Sequence, residues 1–214
     1  MTQLSQDSVI PVFVWYDYIW PWCYIGLARL ERLQEEFPLK ITGMAFLLRP
    51  DIGPGGIERT STGSNQLSEP MRTQAVEAGL ANMSRPSKTP YSLPSLEATE
   101  YAKEHGKFDQ FHRLCYQALW EEGKDLEDFE VLKSIARECS LDWPELEDRL
   151  KTEYYRSEIM QQYLQGKQLG FQGIPGFIIG NNGFTGAAPY DLFRSAAQRA
   201  SEWINGQRSA DGGI

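Results

Sequence analysis

The sequence contains little cysteine and little histidine. Cys23, Cys115 and Cys139 lie far apart along 214 residues. An odd number at such wide spacing is not typical of a disulfide framework and favours a reducing compartment. The two histidines, His105 and His112, are too few for the clustered ligands that a metal site requires. We therefore expect a cytoplasmic protein that binds no metal.

The sequence also lacks a long apolar run and an excess of positive charge. No stretch approaches the roughly 18 apolar residues of a membrane span, and the polar segment 1–8 lacks the pattern of a secretory signal. The 21 Lys and Arg against 29 Asp and Glu give a formal net charge of −8, which disfavours nucleic acid and anionic membranes as partners. Gly166-Lys167-Gln168 lacks the upstream glycine of a phosphate loop, so we expect no bound nucleotide.

The most informative feature that is present is Trp-Pro-Trp-Cys at residues 20–23. It follows Val9–Trp15, whose β-branched and aromatic residues predict a buried strand. It precedes apolar residues at helical spacing, namely Leu27, Leu30, Leu33 and Phe37. A helix N-terminus stabilises negative charge, so this position favours an ionised or anionic group.

The order of patterns predicts an α/β fold built from β-α-β and then β-β-α, with helices inserted between. We predict a split domain over 9–48 and 171–206, a long loop over 49–68 and an inserted helical domain over 69–170. Within it, the last helix is expected from Trp143 to Leu164, with a break near Thr152. Asn181-Asn182-Gly183 predicts a tight turn between the last two strands, and the chain after Gly206 is expected to fray.

The chain resembles the DsbA family of thioredoxin-fold proteins, and more narrowly its FrnE-like branch, which is grouped with 2-hydroxychromene-2-carboxylate isomerases and kappa-class glutathione transferases. The segments that carry the resemblance are Asp17, 20–26, 97–107, 125–128, 173–179 and 184–187. The resemblance implies a thioredoxin-like fold with an oxidoreductase ancestry. Family members usually have Cys-Pro-Trp-Cys where this chain has Trp-Pro-Trp-Cys.

The resemblance assigns the attacking cysteine's position to Trp20 and the resolving position to Cys23. Because thiol exchange needs a thiolate that attacks and a second thiol that resolves, we expect no dithiol oxidoreductase activity. Cys23 is a candidate catalytic residue, as a monothiol or a guide for a bound thiol, and a small buried leftover is the alternative. Asp17 is a candidate catalytic partner that tunes Cys23 or relays protons, or it serves only as a turn residue.

Two further segments are candidate binding residues by resemblance. Ile174-Pro175 resembles the family's cis-proline loop, and it would join Trp20, Pro21 and Trp22 in binding substrate. Gly186, Ala187 and Ala188 stand where glutathione-using relatives place Ser and Asp, so only their backbone amides are left to bind that cofactor. The substitution counts against glutathione without excluding it.

Two functions follow as hypotheses. The first is an enzyme that acts on a small thiol or an aromatic substrate by isomerisation or thiol addition, with Trp20 and Trp22 stacking on the substrate. The second is a non-catalytic module that binds a peptide or a metabolite in the same groove. Aromatic residues crowd positions 15–24, and they either line a groove or an interface, which would suit a homodimer, or pack beneath the inserted helices.

Overall fold

The computed structural model describes residues 9–59 and 65–211, with side chains through 207; the segment 1–8, considered above for its composition, lies outside this range. Within the described residues the strands are β1 (Ile10–Tyr16), β2 (Leu39–Ala45), β3 (Ile57–Glu58), β4 (Lys88–Thr89), β5 (Gly176–Ile179) and β6 (Asn182–Thr185). The helices are α1 (Pro21–Glu36), α2 (Glu69–Glu77), α3 (Leu93–Glu104), α4 (Phe108–Trp120), α5 (Phe129–Glu138), α6 (Trp143–Lys151), α7 (Arg156–Gln168) and α8 (Tyr190–Asp211).

Four strands form the central sheet in the order β2-β1-β5-β6. β1 runs parallel to β2, with Val12 opposite Ile41, and antiparallel to β5, with Val14 opposite Phe177. β6 returns antiparallel to β5. The predicted β-α-β and β-β-α order is therefore confirmed, and α1 is the crossover that joins the two parallel strands.

The two faces of the sheet are covered by different elements because side chains alternate along each strand. Ile10, Val12 and Val14 point to the face covered by α1 and α8, where they form a core with residues such as Phe177 and Phe193. Trp15 belongs to a larger core shared with the helical segment α2–α7. β1 is thus the strand that holds both cores together.

The helical segment is fitted closely to the sheet at α7. The Trp15 indole donates through Nε1 to the carbonyl of Gln162 at 3.0 Å. A Cβ at Gly166 would lie 2.7 Å from the same indole, so only glycine allows α7 to approach this closely.

Several boundaries differ from the sequence predictions. The loop after β2 contains β3, which pairs with β4 beyond α2. The tight turn is Gly180-Asn181 rather than Asn181-Asn182-Gly183, because Ile179 pairs directly with Asn182 and Gly180 adopts a φ of 58°. The predicted break near Thr152 is confirmed, since α6 ends at Lys151 and α7 begins at Arg156. However, α7 continues to Gln168 rather than ending at Leu164, and α8 continues beyond Gly206 to Asp211.

Candidate functional site

The turn between β1 and α1 builds the start of the helix from local hydrogen bonds. Trp20 occupies the N-cap and Pro21 the first helical position, where a missing N–H costs nothing. The Trp20 amide donates to the Asp17 carbonyl at 3.3 Å, and the Cys23 amide donates to the Trp20 carbonyl at 3.0 Å. The positive end of α1 is therefore presented at residues 20–23.

Trp20 borders a cavity of about 220 Å³. Its side chain is 38% exposed and makes no capping hydrogen bond to α1. The cavity is lined by Ile19, Trp20, Pro21, Arg59, Met71, Arg85, Pro86, Thr89, Pro90, Leu119 and Trp120. Residues from the β3–β4 region, α2 and α4 therefore meet the start of α1.

The lining of this cavity combines indoles with positive charge. Trp20 and Trp120 supply two indoles, and Trp120 is anchored because its Nε1 donates to the Tyr18 carbonyl at 2.7 Å. Arg59 and Arg85 supply two guanidinium groups, and none of the described residues lining the cavity is acidic. Stacking surfaces beside cations and a helix N-terminus suit a flat, negatively charged molecule.

Cys23 lies one turn beyond Trp20, inside α1, and is sealed from solvent. It is 3% exposed, and Tyr116, which stacks on Tyr24, lies over it. Burial raises the pKa of the Cys23 thiol far above its ordinary value, and hydrogen bonds from the Asp17 backbone and from Tyr116 oppose this only in part. The thiol is therefore protonated at neutral pH, and this placement favours the buried-leftover alternative over a reactive monothiol.

Asp17 is a fully buried carboxyl that ties β1 to two other segments. Its Oδ2 accepts from the Leu48 amide at 2.9 Å and from the Ser92 hydroxyl at 3.0 Å, and Oδ1 accepts from the Ile19 amide at 3.3 Å. Burial raises its pKa to about 6, and these hydrogen bonds limit the rise. Asp17 is beside Cys23 but does not line the Trp20 cavity.

The aromatic cluster of residues 15–24 is mostly interior. Trp15, Tyr16, Tyr18 and Tyr24 are buried, and Trp22 packs partly buried against the larger core rather than lining the Trp20 cavity. Of the two alternatives considered for these aromatic residues, most of them pack beneath the inserted helices rather than line a groove or an interface. Trp20 is the member that faces a cavity.

The Ile174-Pro175 loop lies beside α1, one turn beyond Cys23. The Ile174–Pro175 peptide bond is cis, and a Cβ at Gly26 would be 3.5 Å from the Pro175 ring. Neither Ile174 nor Pro175 lines the Trp20 cavity. The structure therefore unites Trp20 with Pro21 in one cavity and places the loop elsewhere along the helix.

The segment proposed for cofactor binding uses most of its amides internally. The Gly186 amide donates to the Pro175 carbonyl at 2.7 Å, and the Ala188 amide donates to the Gly186 carbonyl at 2.9 Å. Only the Ala187 amide has no partner among the described residues. The expectation that all three amides are available to a carboxylate is therefore corrected to one.

Cys115, Cys139 and His112 are buried in the interior of the protein. Cys115 and Cys139 are buried free thiols. His112 is buried with Nδ1 at 2.9 Å from the Tyr18 hydroxyl, and burial lowers its pKa to about 3. Among the described residues, no group of three or more His, Cys, Asp or Glu is placed to hold a metal ion.

The order of strands in the sheet and the cis-proline loop beside α1 are consistent with the family that this sequence matches. The family described as "DSBA-like thioredoxin domain" matches residues 11–198. The chain belongs to this family. In this chain the start of α1 reads Trp-Pro-Trp-Cys at residues 20–23.

Individual relatives span nearly the whole DsbA-like domain. The uncharacterized protein YwbO of Bacillus subtilis (strain 168) is 28% identical over 195 residues, covering 87% of this chain and 95% of that protein. A probable DsbA oxidoreductase from Streptomyces coelicolor is 25% identical, with a TM-score of 0.77 and 89% of each chain covered. A 2-hydroxychromene-2-carboxylate isomerase shares the fold at a TM-score of 0.74 and 17% identity, covering 95% of this chain and all of that one.

Sequence reasoning missed the arginines of the Trp20 cavity in this DsbA-like protein. Arg59 and Arg85 lie in irregular segments, where no periodicity indicates which residues meet in space. The charge of the loop around Arg59 gave no signal either, because Arg49 and Arg59 are balanced there by Asp51 and Glu58. Within the described residues, no helix has the length and apolar character needed to cross a membrane.

Proposed function

We propose that this protein binds a small aromatic carboxylic acid in the Trp20 cavity and converts it by chemistry other than dithiol exchange. The observation that carries the proposal is the lining itself: two indoles, two guanidinium groups and the start of α1, with no acidic side chain among the described lining residues. A flat anion satisfies both the stacking surfaces and the positive field.

The same features favour an isomerisation in which negative charge develops on the substrate. Guanidinium groups and a helix N-terminus stabilise an enolate-like anion when they are fixed before the reaction. Cys23 and Asp17 are buried and do not line the cavity, so in this proposal neither contacts the substrate; the Asp17 carbonyl positions Trp20 by accepting from its amide. The isomerase among the structural neighbours acts on a hydroxychromene carboxylate by name, and a bicyclic aromatic acid is the class that we propose here.

Calorimetric titration with 2-naphthoate tests the binding step, and 2-naphthamide serves as the uncharged control. We expect the acid to bind and the amide to bind about 10-fold more weakly, because the uncharged amide forms no bidentate ion pair with the arginines. We expect about 10-fold lower affinity for 2-naphthoate in each of three variants, Trp20→Ala, Arg59→Gln and Arg85→Gln. Arg72→Gln, which removes an exposed arginine paired with Glu69 on α2, is the matched control.

Equal affinity for the acid and the amide, or unchanged affinity in all three variants, would refute the binding site. Conversion is tested separately, by following the absorbance of 2-hydroxychromene-2-carboxylate with the wild type and with Arg85→Gln. Binding without conversion of any bicyclic aromatic acid would leave the non-catalytic module as the better description.

A second candidate ligand is glutathione or an extended peptide at the Ile174-Pro175 loop. The observation that favours it is the Ile174 backbone, whose N–H and C=O form no hydrogen bond with any described residue. A strand-like ligand pairs with such groups. Reduced glutathione at millimolar concentration should then raise the melting temperature, and no rise would remove glutathione as the ligand of this loop without affecting the proposal for the Trp20 cavity.

A further inference from the structure

A second cavity, of about 410 Å³, lies between α1, α2 and the start of α8. It is lined by Ala28, Arg29, Arg32, Gln74, Glu77, Ala78, Pro189 and Tyr190. Pro21 borders the Trp20 cavity, and Arg29 follows it by eight residues on α1, about 12 Å along the helix axis. The two cavities are thus separate, and none of the sequence predictions assigned a role to this one.

One wall of the cavity is positively charged and held in place from behind. Arg29 is only 6% exposed, and its Nη1 donates to the Ala188 carbonyl at 2.8 Å. Its Nη2 donates to the Gln74 Oε1. A guanidinium carries five N–H donors, so these two bonds fix its position and leave further donors at the cavity.

Arg32 adds a second cation to the same wall, where Glu36 is a neighbouring charge but not a hydrogen-bond or salt-bridge partner. Its guanidinium carbon lies 3.8 Å above the centre of the Tyr190 ring, and that ring is itself fixed by a hydrogen bond from the Tyr190 hydroxyl to Glu36. Glu36 is bound instead by Arg194 at 2.6 Å. Arg32 makes neither a hydrogen bond nor a salt bridge with any described residue.

The other charged wall is negative and consists of Glu77, whose charge partly offsets the lowering of the Arg29 pKa by burial. Glu77, on α2, accepts from the Gln74 amide nitrogen through Oε2 at 3.1 Å. No described residue donates to its Oε1, and it forms no salt bridge within the described part of the chain. A simple anion in the cavity would meet this carboxylate, and a simple cation would meet the two arginines. Only a ligand with both charges satisfies both walls.

We propose that this cavity binds a small molecule with an α-amino-acid head group and an apolar side chain. The carboxylate of the ligand pairs with Arg32, assisted by Arg29, and its ammonium group pairs with Glu77. Ala28, Ala78 and Pro189 form the apolar part of the lining, against which the ligand's side chain packs. This proposal is independent of the function proposed for the Trp20 cavity.

Calorimetric titration with three probes of the same shape tests the head group. L-Leucine carries both charges, 4-methylpentanoate lacks the ammonium group and 3-methylbutylamine lacks the carboxylate. We expect L-leucine to bind, and each of the other two to bind about 10-fold more weakly or not at all, because each leaves one charged wall unpaired. Absence of L-leucine binding, or equal binding of 4-methylpentanoate, overturns the proposal.

Two variants locate the binding in this cavity. Arg32→Gln and Glu77→Gln should each lower the affinity for L-leucine by about 10-fold. Glu77→Gln should also reduce the difference in affinity between L-leucine and 4-methylpentanoate. Arg72→Gln, on the solvent side of α2, is the matched control and should leave the affinity unchanged. L-Leucine binding that is unaffected in both variants would place the ligand elsewhere and refute the site.

A last measurement separates this proposal from the proposed function. Arg32→Gln should keep its affinity for 2-naphthoate within about 2-fold, because changes at distant sites act independently. Loss of both ligands in that variant would mean that the two cavities are not separate sites, and would overturn the inference. Failure of 2-naphthoate to bind the wild type leaves the L-leucine test unaffected.

Discussion

Positions 20 and 23 of α1 are one helical turn apart, yet they meet opposite surroundings. Trp20 stands at the N-cap with its indole beside a cavity lined by Arg59 and Arg85. Cys23 is sealed beneath Tyr116 and next to the buried carboxyl of Asp17. The two positions therefore share the same helix N-terminus and differ in access to water.

This comparison shows that a helix N-terminus alone does not make a thiol reactive. The field of α1 stabilises negative charge at both positions, but at Cys23 the loss of hydration is the larger effect and raises the pKa of the thiol. A reactive cysteine needs the field together with partial exposure. In this chain the exposed position has an indole, and the remaining sulfur lies where it cannot ionise.

The largest expected effect is protection of Cys23 from alkylation. In the folded protein it should react with iodoacetamide on the order of 1,000-fold more slowly than in urea, because reaction requires opening of a stable core. Peptide mapping by mass spectrometry measures the rate at each cysteine. Cys115 and Cys139, which are also buried, are internal controls. Rapid labelling of Cys23 while those two stay protected would break the comparison.

The next effect concerns the pH dependence of stability. The pKa of Asp17 is raised from 3.8 to about 6 in the folded protein, so the folded state binds this proton more tightly than the unfolded chain. Its contribution to stability is therefore fully present below about pH 4 and is lost as the pH rises through 6, by about 3 kcal/mol. Urea unfolding between pH 4 and 7 should show this loss in the wild type.

Asp17→Asn should remove the share of the pH-dependent loss that Asp17 contributes, because an amide does not titrate. The share from Glu97, whose pKa burial raises to about 7, should remain. Asp148→Asn, at an exposed position of α6, is the matched control and should retain the loss. A carbon-13 titration of the Asp17 carboxyl gives a direct check. A midpoint near the ordinary value of an aspartate would contradict the assignment.

A smaller effect is expected when sulfur is restored at the exposed position. Trp20→Cys should form a disulfide with Cys23 after mild oxidation and should reduce insulin at least about 10-fold faster than the wild type, because a thiol at a helix start is substantially ionised at neutral pH. A free-thiol count measures the disulfide. The double variant Trp20→Cys, Cys23→Ser should form none, and an unchanged thiol count in the single variant would contradict the proposed geometry.

The smallest expected effect is the gain in stability from a capping side chain at position 20, measured separately from the loss of the indole. Trp20 has the extended backbone of an N-cap but no side-chain acceptor, so Trp20→Ser should be more stable than Trp20→Ala by about 1 kcal/mol. Both variants lack the indole, which makes the pair a matched comparison. Equal stabilities in urea unfolding would show that the start of α1 does not gain from a capping side chain.

The sequence was most informative where local pattern and tertiary role coincide. The apolar run of β1, the proline at the start of α1 and the spacing of Leu27, Leu30 and Leu33 predicted a strand and a helix that the structure contains. The resemblance implied a cis bond before Pro175, and that bond is cis. Each of these features depends on a short segment of sequence, so it can be predicted without knowledge of the fold.

Other features depend on contacts between distant segments, which periodicity does not report. Arg29 is a charged residue between the apolar positions of α1, yet it is buried, because the loop before α8 supplies the Ala188 carbonyl as its partner. The Trp20 cavity is built from residues up to 101 positions apart, Ile19 to Trp120. The turn at Gly180 was misplaced because the pairing of Phe177 with Phe184, and their packing on Phe193, set the register.

The indole at position 20 also makes the protein its own optical probe. Trp20 and Trp120 line the cavity at α1, whereas Trp15, Trp22, Trp143 and Trp203 do not, so a molecule that enters the cavity changes the surroundings of Trp20 and Trp120. Subtracting the emission spectrum of Trp20→Phe from that of the wild type isolates the Trp20 part of this signal. Occupancy of the cavity is then readable in solution by fluorescence, without a label.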